Sequence, residues 1–160
     1  MIIRAATIED LDDITRLEAM CFPALEAAGR ESFKRRIETF SDSFLVAVVG
    51  DEIIGFVNGC VSDDKVICDE MFEDTAYHNT EGAYQAIFGL DVHPDYRRQG
   101  IAAQLMRELI RLSRSRGKKG LTLTCKDRLI HYYESFGYVN MGVSESNHGG
   151  ATWYDMMLEF

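Results

Sequence analysis

The amino-acid sequence predicts an α/β (α+β) fold, a single domain over residues 1–160 in which a mixed sheet carries helices on its faces. Short apolar runs separated by turn residues come first and strand–helix alternation follows, an order that suits a layered sheet rather than a bundle or a sandwich. The stretch 101–115 repeats apolar residues at helical spacing. With 160 residues, 46% of them hydrophobic and 27% charged, the chain can bury a core without disulfides or metals.

The elements follow in order. Residues 2–5 form a short first strand. Thr7, with Asp10 three residues on, is a capping signal. Leu11, Ile14, Leu17 and Cys21 then keep helical spacing until Phe22-Pro23, where proline disfavours helix in the residue before it. A second helix is expected from 24 to 39, with Phe33, Ile37 and Phe40 facing in. Residues 44–49 and 53–61 read as antiparallel strands joined at Gly50-Asp51-Glu52. Residues 63–82 are polar, acidic and irregular, a long connection of the kind that is often functional. Residues 84–92 give a fourth strand. In the helix 101–115, Ala102, Leu105, Met106, Leu109, Ile110 and Ser113 share one face, and Gly117 ends it. Residues 120–125 form a strand, 127–136 a short helix closed by Gly137, and 138–143 with 152–158 a final hairpin. That hairpin presents an edge on which a second copy could pair as a homodimer.

The net charge of -9 argues against nucleic-acid binding. Residues 1–96 hold 20 of the 26 acidic side chains and 7 of the 17 basic ones, so the acidic part precedes a locally basic one. The split suits a cationic substrate and an anionic cofactor, and equally an incidental drift of surface charge. Cys21, Cys60, Cys68 and Cys125 lack metal-ligand spacing, so no metal is expected. No apolar run is long enough for a membrane span, and MIIRAATIEDLDD reaches acidic residues too early for a signal peptide. A cytoplasmic protein with reduced thiols and no membrane partner is the expectation.

The segment LDVHPDYRRQGIA, residues 90–102, joins a strand to a helix. Small residues at Gly100 and Ala102 admit a ligand close to the backbone. The first helical turn offers unpaired N–H groups at the positive dipole end, which suits a pyrophosphate, and Arg97 and Arg98 add charge there. An ordinary turn with a solvated arginine pair has the same sequence. The segment is neither GxGxxG nor a P-loop.

Arg97-x-x-Gly100-x-Ala102 after L-x-V-x-P resembles the acetyl-CoA motif of the GNAT N-acetyltransferases, and YYESFGY over 132–138 is similar to that family's Y-E-x-x-G-F signature. The resemblance implies a mixed, mostly antiparallel central sheet flanked by helices and splayed after the fourth strand, past Val92. It implies that backbone N–H groups of Arg98, Gln99, Gly100, Ile101 and Ala102 hold the pyrophosphate of acetyl-CoA, and that Leu90 and Val92 pair with the pantetheine arm. Lys126 stands where many members carry an asparagine, and is a candidate phosphate contact. Tyr133 aligns with the family's general acid at the sulfur.

Cys21-Phe22-Pro23 and Leu90-x-Val-His93 partly resemble the arylalkylamine N-acetyltransferases, which makes Phe22 and Pro23 candidate substrate residues. The histidine bases of that group fall at Ala86 and Phe88 here. Glu70, Glu73, Asp74, Asp91, Tyr84 and Gln85 are the groups left near the strand to take a proton, with Glu70 also a candidate for attracting a cationic amine; His78 and His148 receive no role. The resemblance thus implies transfer of an acetyl group from acetyl-CoA to a small cationic or arylalkyl amine. A protein or peptide N-acetyltransferase and a non-catalytic CoA-binding module are the other readings.

Overall fold

Burial of the central strands on both faces decides the layering. A computed structural model describes residues 1–160. Strand β1 (Ile2–Ala5) leads to helix α1 (Leu11–Cys21), helix α2 (Arg30–Phe40) and strands β2 (Phe44–Val49), β3 (Glu52–Asn58) and β4 (Val61–Ser62). Helix α3 (Asp69–Glu73) precedes β5 (Tyr84–Ile87) and β6 (Gly89–Val92). Helix α4 (Ile101–Ser115), β7 (Gly120–Cys125), α5 (Ile130–Glu134), β8 (Val139–Val143) and β9 (Tyr154–Glu159) complete the chain.

In β2, Phe44 and Val46 pack with Leu11, Ile14, Leu17, Phe33 and Ile37, whereas Leu45 and Ala47 pack with Leu105, Met106 and Leu109. Successive side chains point to opposite faces, so an unbroken apolar run is what a strand covered by helices on both sides requires. Helices α1 and α2 cover one face and α4 and α5 the other. No helix is long and apolar enough to cross a membrane.

The strands form two sheets, β1-β2-β3-β6 and β4-β5-β7-β9-β8, in which β5–β7 is the one parallel pair. The architecture is the mixed, mostly antiparallel sheet expected. Two segments cross from one sheet to the other. The expected strand 53–61 divides into β3 and β4 at Gly59-Cys60, and the expected strand 84–92 divides into β5 and β6 at Phe88. The backbone ladder continues across the seam, with Phe88 N–H bonded to Asn58 O at 2.7 Å and Ala86 N–H to Cys60 O at 2.8 Å. Strand β7 follows β5 as far as Ile87↔Leu123 and does not pair with β6. The splay of the fourth strand therefore begins at Phe88, earlier than Val92.

The side chain of Gln85 holds this seam. Its Nε2 donates toward Gly59 O (3.0 Å), Cys60 O (3.2 Å) and Ala86 O (2.8 Å), and its Oε1 accepts from the Ser43 hydroxyl at 2.9 Å. Every polar atom of the amide is occupied, so Gln85 builds the fold and is not the proton acceptor weighed from sequence.

Other boundaries differ for local reasons. Residues 24–29 are not helical, because Glu18 Oε2 captures the Ala28 N–H at 2.8 Å and Gly29 becomes the N-cap of α2. Residues 63–82 are less irregular than expected, since α3 and a 3-10 turn at Thr75–Tyr77 lie within them. The Thr7–Asp10 box forms as expected, with Asp10 Oδ2 accepting the Thr7 N–H at 2.8 Å.

Gly59 has no room for a side chain: an added Cβ would stand 1.8 Å from Ala86 O. Gly59→Ala is expected to destabilise the protein by about 1–3 kcal/mol or more, as overpacking against backbone does, measured by urea unfolding.

Candidate active site

The loop entering α4 is shaped to receive an anion. Arg98 has φ 63° and Gly100 φ 79°, both left-handed, and the first is uncommon for a residue with a side chain. This curl leaves the N–H groups of Arg98, Gln99 and Gly100 without an acceptor in the chain, next to the open N–H groups of the first turn of a fifteen-residue helix. Arg97, Arg98, Gln99 and Gly100 are exposed, Ala102 is half-buried, and the Ile101 side chain points into the core. The sequence motif is thus a surface cradle of backbone, fixed below by Ile101.

Strand β6 supplies the next part. His93 N–H bonds Ile54 O at 2.7 Å and Asp91 stands opposite Phe56, so Leu90 and Val92 turn their backbone groups away from β3. Val92 O is already bound, by Arg97 Nε at 3.2 Å and by the Cys21 thiol at 3.4 Å. Leu90 keeps a free strand edge, facing the gap where β7 has parted from β6.

A cavity of about 610 Å³ passes through that gap. Ile87, Phe88, Gly89 and Leu90 line one side of it and Leu123, Thr124, Cys125 and Lys126 the other. Tyr133 of α5 closes one end. It is buried with its ring edge-on to Tyr132 and Tyr138. Burial, reinforced by the nearby Cys125 thiol, pushes its phenol well above the ordinary value, so the group stays protonated.

The other end is an acidic and aromatic chamber under three loops. Glu18, Phe22, Glu26, Glu70, Phe72 and Glu73 line it, with His148 and Trp153 from the loop between β8 and β9. The His148 ring stacks on Phe72 at 5.4 Å, and its Nε2 meets Glu26 O at 3.0 Å. Lys126 Nζ pairs with Glu26 at 2.8 Å and lies 5.7 Å from the Trp153 ring. The Ser146 hydroxyl donates to Asp69, which ties the loop between β8 and β9 to helix α3.

Beneath the chamber lies a buried polar cluster. Asp91 is 1% exposed, Asn58 1%, Arg36 4% and Glu18 7%. Arg36 donates to Asn58 Oδ1 (3.0 Å) and Phe72 O (2.8 Å) and lies over the Phe88 ring. Burial lowers its guanidinium to about 10. No N–H or O–H donor reaches either Asp91 oxygen. Burial first, and then the neighbouring Glu18 carboxylate, push the Asp91 carboxyl well above its ordinary range. A carboxyl shifted this way holds a proton more readily than a free one, and Glu18 is the carboxylate beside it.

The candidates from sequence divide between these places. Leu90, Lys126, Tyr133, Phe22 and Glu70 stand in the cavity wall. Arg97 to Ala102 form the separate cradle outside it, and Pro23 does not line the cavity. Lys126, a candidate phosphate contact, is held in the chamber by Glu26. Glu18, Arg36, Asn58 and His148 were passed over. The first two carried a readable sign, since Glu18 follows Ile14 by four residues and Arg36 follows Phe33 by three and precedes Phe40 by four, so both are charges on an apolar helix face.

Comparison with known proteins agrees with this geometry. Residues 11–138 match the family described as Acetyltransferase (GNAT) family. The GphF GNAT-like decarboxylase in complex with isobutyryl-CoA superposes with a TM-score of 0.86 at 20% identity, over 99% of each chain. The ribosomal-protein-S18-alanine N-acetyltransferase from Escherichia coli gives 0.74 at 17% identity, over 99% of this chain and 92% of the other. At such identities the likeness is one of fold. A probable hydrolase of Bacillus subtilis (strain 168), YhcX, is 29% identical over 140 residues, which are 83% of this chain but 27% of that protein's length. The family match extends from α1 to the end of the Tyr133 signature and takes in both the cradle and the parted strands, and the chain belongs to the GNAT acetyltransferase family.

Proposed function

We propose that this protein transfers the acetyl group of acetyl-CoA to a small primary amine that arrives as a cation. The observation that carries the reading is the continuous cavity from Tyr133, through the parted strands, to the acidic chamber. Acetyl-CoA would lay its pyrophosphate on the N–H groups from Arg98 to Ala102, its pantetheine along the free edge of Leu90, and its thioester between β6 and β7. The chamber then holds the acceptor.

A primary alkylamine has a pKa near 10.4 and enters mostly protonated. Glu70 and Glu73 in the chamber wall attract such a charge, while Phe22, Phe72 and Trp153 offer apolar surface to its carbon skeleton. The amine nitrogen attacks the thioester carbon, and the protonated Tyr133 phenol donates to the departing sulfur. The ties between Ser146 and Asp69 and between His148 and Glu26 draw the loops together over the chamber, which favours a small amine over a peptide.

Thiol release from acetyl-CoA, followed over a panel of 2-phenylethylamine, spermidine and a lysine peptide, tests the proposal. Turnover with the small amines is expected. Tight CoA binding with no turnover of any acceptor would move the protein to a non-catalytic CoA-binding module. Tyr133→Phe is expected to lower kcat about 100-fold with little change in the KM for acetyl-CoA, as loss of a general acid does; full turnover at every pH would take Tyr133 out of the mechanism. Glu70→Gln is expected to raise the amine KM severalfold, more at low salt than at high, as a screened attraction requires.

A further inference from the structure

The buried cluster and the chamber meet at Gly89, the first residue of β6 after the seam. A Cβ built on Gly89 would lie 3.3 Å from Asp91 Oδ1, 3.6 Å from Asn58 Nδ2 and 3.9 Å from Glu18 Oε1. The absent side chain thus leaves a cradle of one-atom size, edged by two carboxyl oxygens and an amide nitrogen. Neither Asp91 oxygen has a donor, and Asn58 Nδ2 has no acceptor. Buried polar atoms are rarely left so, and two of these, Asp91 Oδ1 and Asn58 Nδ2, border the Gly89 point as a seat for a small polar group. Gly89 and Glu18 both line the cavity, so the cradle opens toward the gap between the strands.

We propose that the cradle over Gly89 seats the acceptor nitrogen and that Glu18 takes its proton, with Asp91 as the positioning residue that holds the Glu18 carboxylate. The proposal rests on the acetyl-transfer reading for the step that follows. The ammonium gives one proton to Glu18, and the freed lone pair attacks the thioester carbon. The C–N bond forms, and the C–S bond breaks as the intermediate collapses. The second N–H proton replaces the one that Tyr133 gives to sulfur. The products are an amide, the CoA thiol and one proton on Glu18, which passes to solvent through the open chamber.

The surrounding charges suit the role. Glu18 and Cys21 face the cluster from α1, Arg36 from α2, Cys60 from the seam and Tyr133 from α5. A neutral Asp91 donates to Glu18 and leaves one negative charge on the pair, opposite the buried Arg36.

The first test compares 2-phenylethylamine with its β,β-difluoro analogue, whose nitrogen is far less basic. Glu18→Gln is expected to lower kcat/KM about 100-fold or more for the first, as loss of a general base does. The deficit should shrink at least about tenfold for the second, which arrives largely deprotonated. Equal deficits for the two amines, or none, overturn the base assignment. Gly89→Ala fills the cradle, and is expected to weaken 2-phenylethylamine binding to the CoA complex about tenfold by calorimetry, more than it weakens CoA itself; unaltered amine binding overturns the seat. One measurement needs no turnover. A carboxyl raised in the folded state stabilises it fully below the unfolded pKa, and that contribution is lost as pH rises toward the folded value. The Tm of the wild type should therefore fall relative to that of Asp91→Asn as pH rises above the unfolded carboxyl value of 3.8, whereas parallel curves overturn the shared proton. A wild type that acetylates no amine, yet shows this Tm difference and binds 2-phenylethylamine through Gly89 and Glu18, would sink the acetyl-transfer reading and leave the seat standing.

Discussion

The hydrogen bonds of Gln85 at the seam are the constraint on which the rest depends. Where β3 hands over to β4 and β5 to β6, carbonyls near the handover need donors, and one buried amide serves Gly59, Cys60 and Ala86 together. Cys60 O also accepts from the Ala86 N–H, and a buried carbonyl left wholly unmet costs about 1–3 kcal/mol. Because this point holds, β6 can follow β3 while β5 stays with β7, and the sheet parts without unravelling. The gap between β6 and β7, the free edge of Leu90 and the cavity through the domain all follow from it. Gly59 and Gly89 mark the two sides of the same seam. The first lets the backbones approach, and the second leaves open the point to which the buried carboxyls reach.

The site also accepts a cost that a purely structural core would avoid. Arg36, Asn58, Asp91 and Glu18 sit where apolar side chains would pack more favourably, since desolvating charges is seldom recovered in full by pairing them. The protein limits the penalty by raising the Asp91 carboxyl, which disfavours its charge, and by sharing Arg36 among Asn58, the Phe72 carbonyl and two aromatic rings. Such a cluster at the base of a chamber, with several polar atoms unmet, is arranged for a ligand and not for stability. The chamber above divides its labour. Lys126 and Glu26 neutralise each other and tie the walls, while Glu70 and Glu73 give the entrance its sign.

Much of the architecture was legible because it is local. The helix α4 declares itself by spacing, the Thr7–Asp10 box by residue type, and the cradle by an arginine pair and small residues placed at a strand-to-helix junction. The limits of α2 were not legible, since the contact that stops it, Glu18 to Ala28, lies ten residues away on another helix. The two sheets were not legible either. An apolar run from 84 to 92 has one appearance whether it stays in one sheet or crosses between two, and only the positions of β3 and β7 decide that it breaks at Phe88.

By itself, then, the sequence determined the layered fold, the family motif from Arg97 to Ala102 and the tyrosine signature, because each is written in neighbouring residues whose spacing sets their common face. The tertiary structure decided which side chains share the chamber. Lys126 turned to Glu26 across a hundred residues, His148 came to rest on Phe72, and Glu18 met Asp91 beneath Gly89. Contacts of that range depend on how separate elements pack and on which charges burial leaves in need of a partner, and no periodicity along the chain records either.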